Sequence, residues 1–399
     1  MSIRLFLFLA IPFLLFSQNV NAQSDDELEF VGGLNALRVS VPFLMIAPDS
    51  RAASMGDVGA ATSPDVNSQH WNPAKFAFID NEWGVSFSYT PWLRNLINDM
   101  DLTYLTGYYR FDEQQVVSAS LLYFSMGTII FTDDRGTSLL DHNANEFALD
   151  LAYSRKFSDK IGGSIGFRYI RSDLTGGFSQ QGQPAAKAGN SVAADISTYF
   201  QTPLTVDNKD AELAVGLNIS NIGTKISYND DPIKQFIPIN MRLGTRFSID
   251  IDSYNTMSIM VDGNKLLVPT PPRYDDPDDT NLITAGMDPD VPVITGMLQS
   301  FYDAPGGFQE ELREVSVAAG IEYLYSGQFA VRAGYFDEHS TKGNRKYFTL
   351  GAGVKYNVFQ LDFAYLIPRA GQANPLANTV RFTLAFEFEQ SRPGRTRTR

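Results

Sequence analysis

The sequence has no cysteine. Disulfide staples, thiolate metal centres and cysteine nucleophiles are therefore excluded. Histidine is scarce too: the three residues are His70, His142 and His339, and none stands at metal-ligand spacing from another. No Gly-rich phosphate loop follows a strand-like segment and opens a helical one, so no cofactor and no metal is expected. Basic residues number 32 against 45 acidic, a net charge of −13, which argues against a nucleic-acid partner. Past the first residues, no apolar run reaches the roughly 18 residues that a membrane helix needs. Nor does any Pro/Ser linker or composition break divide the chain.

Residues 1–22 read as a secretory signal peptide. Arg4 is their one charge, Leu5 to Phe16 is an apolar run too short to span a bilayer, and Val20-Asn21-Ala22 fits a cleavage site ahead of Gln23. An exported, acidic chain with 13% aromatics and no membrane helix fits an outer-membrane β-barrel; the alternative is a secreted soluble β-protein.

Alternation favours the barrel. Phe147, Leu149, Leu151 and Tyr153 share one face of a strand, and Ala148, Asp150 and Ala152 the other. Val380, Phe382, Leu384, Phe386 and Phe388 alternate in the same way with Arg381, Thr383, Ala385 and Glu387. About fourteen such segments follow Trp83, with starts that include Asn145, Leu312 and Asn378. The connections alternate between short turns and long loops, the longest being 263–311. Gly127 to Asn143 is expected to be a loop, and Gln201 to Ala211 interrupts the pattern. In a barrel, Asp150, Arg168, Asp195, Arg242, Arg246, Glu322, Arg332, Asp362, Arg381 and Glu387 would face the lumen. Glu322 with Arg332, and Asp362 with Arg381, lie on neighbouring strands where they could pair.

Ahead of the strands lies a different stretch, Ser50 to Phe78, rich in Ala, Gly and Ser and ending in Trp71-Asn72-Pro73-Ala74. Small residues allow close backbone packing, and Pro73 marks a turn. This stretch resembles the N-terminal hatch of FadL-like outer-membrane barrels. Together with Ala36-Leu37-Arg38, Pro42-Phe43-Leu44, Pro48-Asp49-Ser50-Arg51 and Met55-Gly56, it resembles the PorV family of the Bacteroidota type IX secretion system. The resemblance implies a 14-stranded antiparallel transmembrane β-barrel of FadL-like type. It would comprise a hatch over 23–80, a barrel over 81–390 and a basic periplasmic tail over 391–399, with both termini periplasmic.

The resemblance also implies a non-enzymatic role. Such proteins bind C-terminal signal domains of secreted cargo and carry them from a large translocon barrel of SprA type to a PorU-type sortase and attachment complex, within outer-membrane lipid and lipopolysaccharide. A second reading is FadL-like transport of hydrophobic small molecules; a third is a lipopolysaccharide deacylase. For the first reading the candidate contact residues are apolar loop positions: Ile129, Ile130, Phe131, Phe236, Ile237, Leu298, Phe301 and Tyr302. Loops folded on one another as a lid would use the same residue types. Gly162-Gly163-Ser164-Ile165-Gly166 matches G-x-S-x-G, but Ser164 falls inside an alternating strand and not at a strand-to-helix elbow. The cluster Asp275, Asp276, Asp278 and Asp279 offers the oxygen ligands that calcium takes, but it lacks EF-hand spacing, and a solvated charge run is the simpler reading.

Overall fold

The alternating segments become one closed sheet. The computed structural model describes residues 34–92, 99–133, 135–178, 186–229, 234–276, 279–369 and 379–389. The signal peptide, the start of the expected hatch, Asp278, Asn378 and the basic tail lie outside the described residues. Nine strands come first: β1 (Trp83–Pro91), β2 (Asp101–Arg110), β3 (Gln115–Thr132), β4 (Ser138–Lys156), β5 (Ile161–Asp173), β6 (Gly189–Val206), β7 (Lys209–Gly223), β8 (Asn240–Asp250) and β9 (Asn255–Leu266). A small separate hairpin, β10 (Arg273–Asp276) and β11 (Asp279–Ala285), sits in the longest loop with two helices, Val293–Gln299 and Phe308–Arg313. The sheet then resumes with β12 (Ser316–Tyr325), β13 (Phe329–Asp337), β14 (Lys346–Tyr356), β15 (Phe359–Pro368) and β16 (Val380–Phe388). Fourteen strands pair antiparallel in chain order, β9 pairs with β12, and β1 pairs with β16 to close the barrel.

Period-2 alternation decides which side meets lipid. Leu151 is 59% exposed, whereas its neighbour Asp150 is 5% exposed and faces inward. Ile165 and Phe167 are exposed beside buried Ser164 and Arg168, and Phe382 is exposed beside buried Arg381 and Thr383. Apolar side chains thus form the outer belt and polar ones line the lumen, the reverse of a soluble sandwich.

Three expected boundaries move. The expected loop Gly127 to Asn143 is mostly strand, because the β3–β4 ladder continues from Thr128↔Asn143 to Thr132↔Ser138. Gly127, at φ +75°, lies where the register shifts, so a β-bulge reads in the sequence as a break. The interruption at Gln201 to Ala211 is a continuous hairpin whose turn residues, Asp207 and Asn208, both have positive φ, as a type I′ turn requires. Leu312 starts no strand; it lies in the helix Phe308–Arg313, where Glu310 and Glu311 reach nearby lysines.

Short turns, including Ser326–Gln328 and the β6–β7 turn, collect at one end of the barrel with the start of β1 and the end of β16. The long connections collect at the other. The interior is occupied by the chain's own N-terminal segment, which carries the buried residues Val41, Phe43, Met55, Trp71 and Phe76.

Candidate functional site: a plugged lumen and its loop rim

The N-terminal segment threads the barrel from end to end. At the long-loop end, the Asn35 amide donates to the Thr341 carbonyl at 3.0 Å, and Ser40 N donates to the Phe236 carbonyl at 2.9 Å. At the short-turn end, Glu82 N donates to the Phe388 carbonyl at 3.0 Å. The first described residues therefore lie at the opposite end of the barrel from the last strand's terminus.

Between those points the wall grips the segment by hydrogen bonds. Asp262 Oδ2 accepts from Gly59 N at 2.7 Å and Ala60 N at 2.8 Å. Thr383 and Thr349 hydroxyls accept from Ser50 N and Gly56 N, each at 2.8 Å. The Trp-Asn-Pro-Ala motif explains itself locally. Asn72 Oδ1 caps Ala74 N at 3.0 Å, its Nδ2 donates to the Ala60 carbonyl at 2.9 Å and the Thr198 carbonyl at 3.1 Å, and Pro73 opens the short helical turn Pro73–Phe78. Trp71 donates its indole N–H to Asp49.

Close approach demands glycine in the wall. A Cβ on Gly216 would stand 1.9 Å from the Ala60 carbonyl oxygen, and one on Gly334 would stand 2.0 Å from the Met55 carbonyl carbon. The segment is also charged into place. Arg51 bonds Asp65 at 2.8 Å and Glu322 at 2.9 Å; Glu322 in turn bonds Arg332 at 2.7 Å, and Arg332 bonds Asp362 at 2.6 Å. The expected Glu322–Arg332 pair forms. The expected Asp362–Arg381 pair does not, because register sets Asp362 opposite Thr383 and Arg381 opposite Ala364.

The rim carries the candidate contact residues, and the structure divides them. Ile129, Ile130, Leu298, Phe301 and Tyr302 are exposed. Phe131 is half-buried and stacks on Phe178 with ring centroids 4.5 Å apart. Phe236 and Ile237 are not exposed tips. They are buried in the apolar cluster that roofs the lumen, with Val41, Phe43, Leu44, Leu267 and Val268, and Lys225 lies over the Phe236 ring at 4.5 Å. They act as a lid.

The helix Val293–Gln299 shows both behaviours. Val293 and Met297 pack on the roof cluster, while Ile294 and Leu298 point outward, followed by Phe301 and Tyr302. Ile294 belongs to the apolar second half of this loop that the sequence shows, while sequence reasoning missed Phe308 and Leu312, both exposed; the i, i+4 spacing of Phe308 and Leu312 was the available signal.

This loop is braced by buried charge. Lys265 bonds Glu311 at 2.9 Å and Glu314 at 2.7 Å, and Lys342 bonds Glu310 at 2.6 Å and Glu314 at 3.0 Å. Burial by itself would raise the Glu310 carboxyl, but its hydrogen bond to Lys342 holds it below the ordinary range. Among the described residues, nearby Asp303 has no ion-pair partner: burial pushes its carboxyl up to about 6, helped by the Glu311 and Glu314 charges and opposed by hydrogen bonding to Thr270, whose N donates at 3.1 Å.

The remaining sequence candidates stay apart. Ser164 donates to the Tyr153 carbonyl at 2.9 Å, across the strand pair. His70 is packed against Trp71 and Tyr104, His142 contacts Asp173 on the wall, and His339 lies in the β13–β14 connection. Among the described residues no group of three or more His, Asp or Glu is arranged to hold a metal.

A closed antiparallel barrel with an apolar outer belt, a polar lumen and an internal plug defines an outer-membrane β-barrel. The sequence model of the family described as "Type IX secretion system protein PorV" matches residues 32–273. The chain belongs to the PorV family, the outer-membrane barrel proteins of type IX secretion. No curated protein matches it. Among solved structures it is similar to the toluene transporter TodX of Pseudomonas putida, at 9% identity and a TM-score of 0.46, covering 85% of this chain and 97% of that one. It is also similar to a FadL homologue of Pseudomonas aeruginosa, at 9% identity and a TM-score of 0.40, covering 89% and 99%. These two are distant, and the family assignment rests on the sequence match.

Proposed function

We propose that this barrel is a non-enzymatic carrier that binds C-terminal signal domains of exported proteins at its loop rim. It receives them from a large translocon barrel of SprA type and delivers them to a PorU-type attachment complex, with the long loops outside the cell and the short turns in the periplasm. The observation that carries this reading is the apolar stripe Ile294, Leu298, Phe301 and Tyr302, left exposed on a loop that is braced from beneath by the Lys265 and Lys342 ion pairs. Exposed aromatic and aliphatic groups on a rigid support suit protein capture. Passage of apolar molecules is less well supported, since the lumen above the plug is lined by Arg168, Arg242, Asp57 and Glu338 and the plug is held by ion pairs. A serine hydrolase reading lacks a base beside Ser164, whose hydroxyl is engaged by a backbone carbonyl. The test is affinity purification of the tagged protein from detergent-solubilised outer membrane. Recovery of the translocon barrel, the attachment complex and cargo is expected; recovery of none of them would overturn the reading.

A further inference from the structure

A cavity of about 350 Å³ lies between the plug and the long loops. Four cationic side chains line it, and three are satisfied by protein carboxylates. Arg168 is bound by Asp150, by Asp195 at 3.3 Å and by the Asn221 side chain. Arg345 makes two bonds to Glu338, both 2.9 Å. Lys342 bonds Glu310 and Glu314. Arg242 differs: its Nε donates to Asn264 Oδ1 at 2.6 Å, and its guanidinium lies over the Trp71 ring at 4.3 Å. Among the described residues, no carboxylate lies within ion-pair distance of it and its terminal nitrogens have no protein acceptor. Asp57, which makes no ion pair, accepts from the Tyr347 hydroxyl through Oδ2, and its Oδ1 has no hydrogen-bond partner among the described residues.

A guanidinium whose edge is held and whose face is stacked presents its remaining N–H groups in a fixed fork, the geometry that matches a carboxylate. Asp262, Asp57 and Asp49 act on Arg242 only at longer range, and a cation without a direct ion pair in an enclosed lumen favours an anion over water alone. We propose that this chamber binds a small hydrophilic carboxylate through Arg242, with Trp71 as its platform. The site is independent of the rim and of the cargo reading. Its ligand chemistry is shared by free acids and by the C-terminus of a short peptide, and its volume excludes a folded domain.

The sequence has three tryptophans, so replacing Trp83 and Trp92 with Phe leaves Trp71 as the sole indole reporter beside Arg242. In that background, purified protein in liposomes is titrated with succinate, with triglycine and with triglycine amide, at constant ionic strength set with chloride. A saturable change in Trp71 fluorescence is expected with succinate or triglycine but not with the amide. A preference between the two acids identifies the source. Arg242→Gln should abolish it, and Arg242→Lys, which keeps the charge but loses the fork, should weaken it about tenfold. Heat-modifiable migration on gels reports folding of every variant. No saturable change in the reporter protein would overturn the proposal, as would an equal response to the amide or an unchanged response in folded Arg242→Gln or Arg242→Lys.

Discussion

Arg51 of the N-terminal segment grips Glu322 of the barrel wall with two bonds, Nε to Oε2 at 3.1 Å and a terminal nitrogen to Oε1 at 2.9 Å. Both side chains are buried, and Glu322 also serves Arg332. Plug and wall are therefore one electrostatic unit. Truncating Glu322 to Ala takes one of two carboxylates from each of two buried arginines, which keep Asp65 and Asp362, so the expected cost is at or below the roughly 3–5 kcal/mol of a fully broken buried pair. Urea unfolding in liposomes measures it. Because the pair is coupled, adding Arg51→Ala should cost less than the sum of the two single changes; strict additivity would separate plug from wall.

The wall glycines make a second prediction. Gly216→Val and Gly334→Val place side-chain atoms where Ala60 and Met55 backbone now lie. The barrel should still close, but the plug should shift, and ion conductance across planar bilayers should rise above that of the unmodified protein. Unchanged conductance in both folded variants would mean that the plug does not need that close contact.

Leu151→Arg puts a charge in the lipid-facing belt and should cost about 2–4 kcal/mol near the bilayer midplane. Inward substitutions are not mild either, since the lumen is filled. Thr383→Val removes the acceptor of buried Ser50 N and should cost about 1–3 kcal/mol, because the donor is left without a partner. Unfolding midpoints give both numbers, and a Leu151→Arg cost below about 1 kcal/mol would contradict the assigned faces.

Asp303 sets a pH dependence in the long loop. Its carboxyl titrates higher in the folded loop, at about 6, than in an unfolded chain, at 3.8. The folded loop thus binds the proton more tightly, and its stability falls as pH rises from about 4 to about 6. Glu310 is shifted downward and acts with opposite sign, below 4.5. Amide-exchange protection factors around Asp303, with the intrinsic base-catalysed rise in exchange divided out, should therefore fall between about pH 4 and about pH 6, and Asp303→Asn should flatten that change. A fall in protection that survives Asp303→Asn would assign the effect elsewhere.

The barrel was legible in the sequence because lipid on one side and lumen on the other impose period 2 on every strand, so Phe147 to Tyr153 and Val380 to Phe388 declare their faces residue by residue. The β3–β4 extension was hidden by Gly127, whose positive φ serves a bulge but reads as a loop. Charge partners across strands followed only as far as register could be guessed: Glu322 and Arg332 pair, while Asp362 turns to Arg332. Local pattern cannot distinguish a loop residue that roofs the lumen from one that faces water. Phe236 and Ile237 roof it because residues 41–46 reach them from far away in the chain. The same holds for the route of the plug, which is fixed by contacts such as Asn35 with Thr341.

The most direct measurement is the affinity of the purified barrel, held in liposomes, for an isolated C-terminal signal domain of an exported protein. Saturable binding is expected, and Leu298→Ser with Tyr302→Ser should weaken it at least about tenfold, since anchors at an interface commonly contribute 2 kcal/mol or more. Phe236→Leu, a change in the roof and not in the exposed stripe, should leave affinity near that of the unmodified protein. Equal binding by the stripe variant and the unmodified barrel, with both folded, would contradict the account.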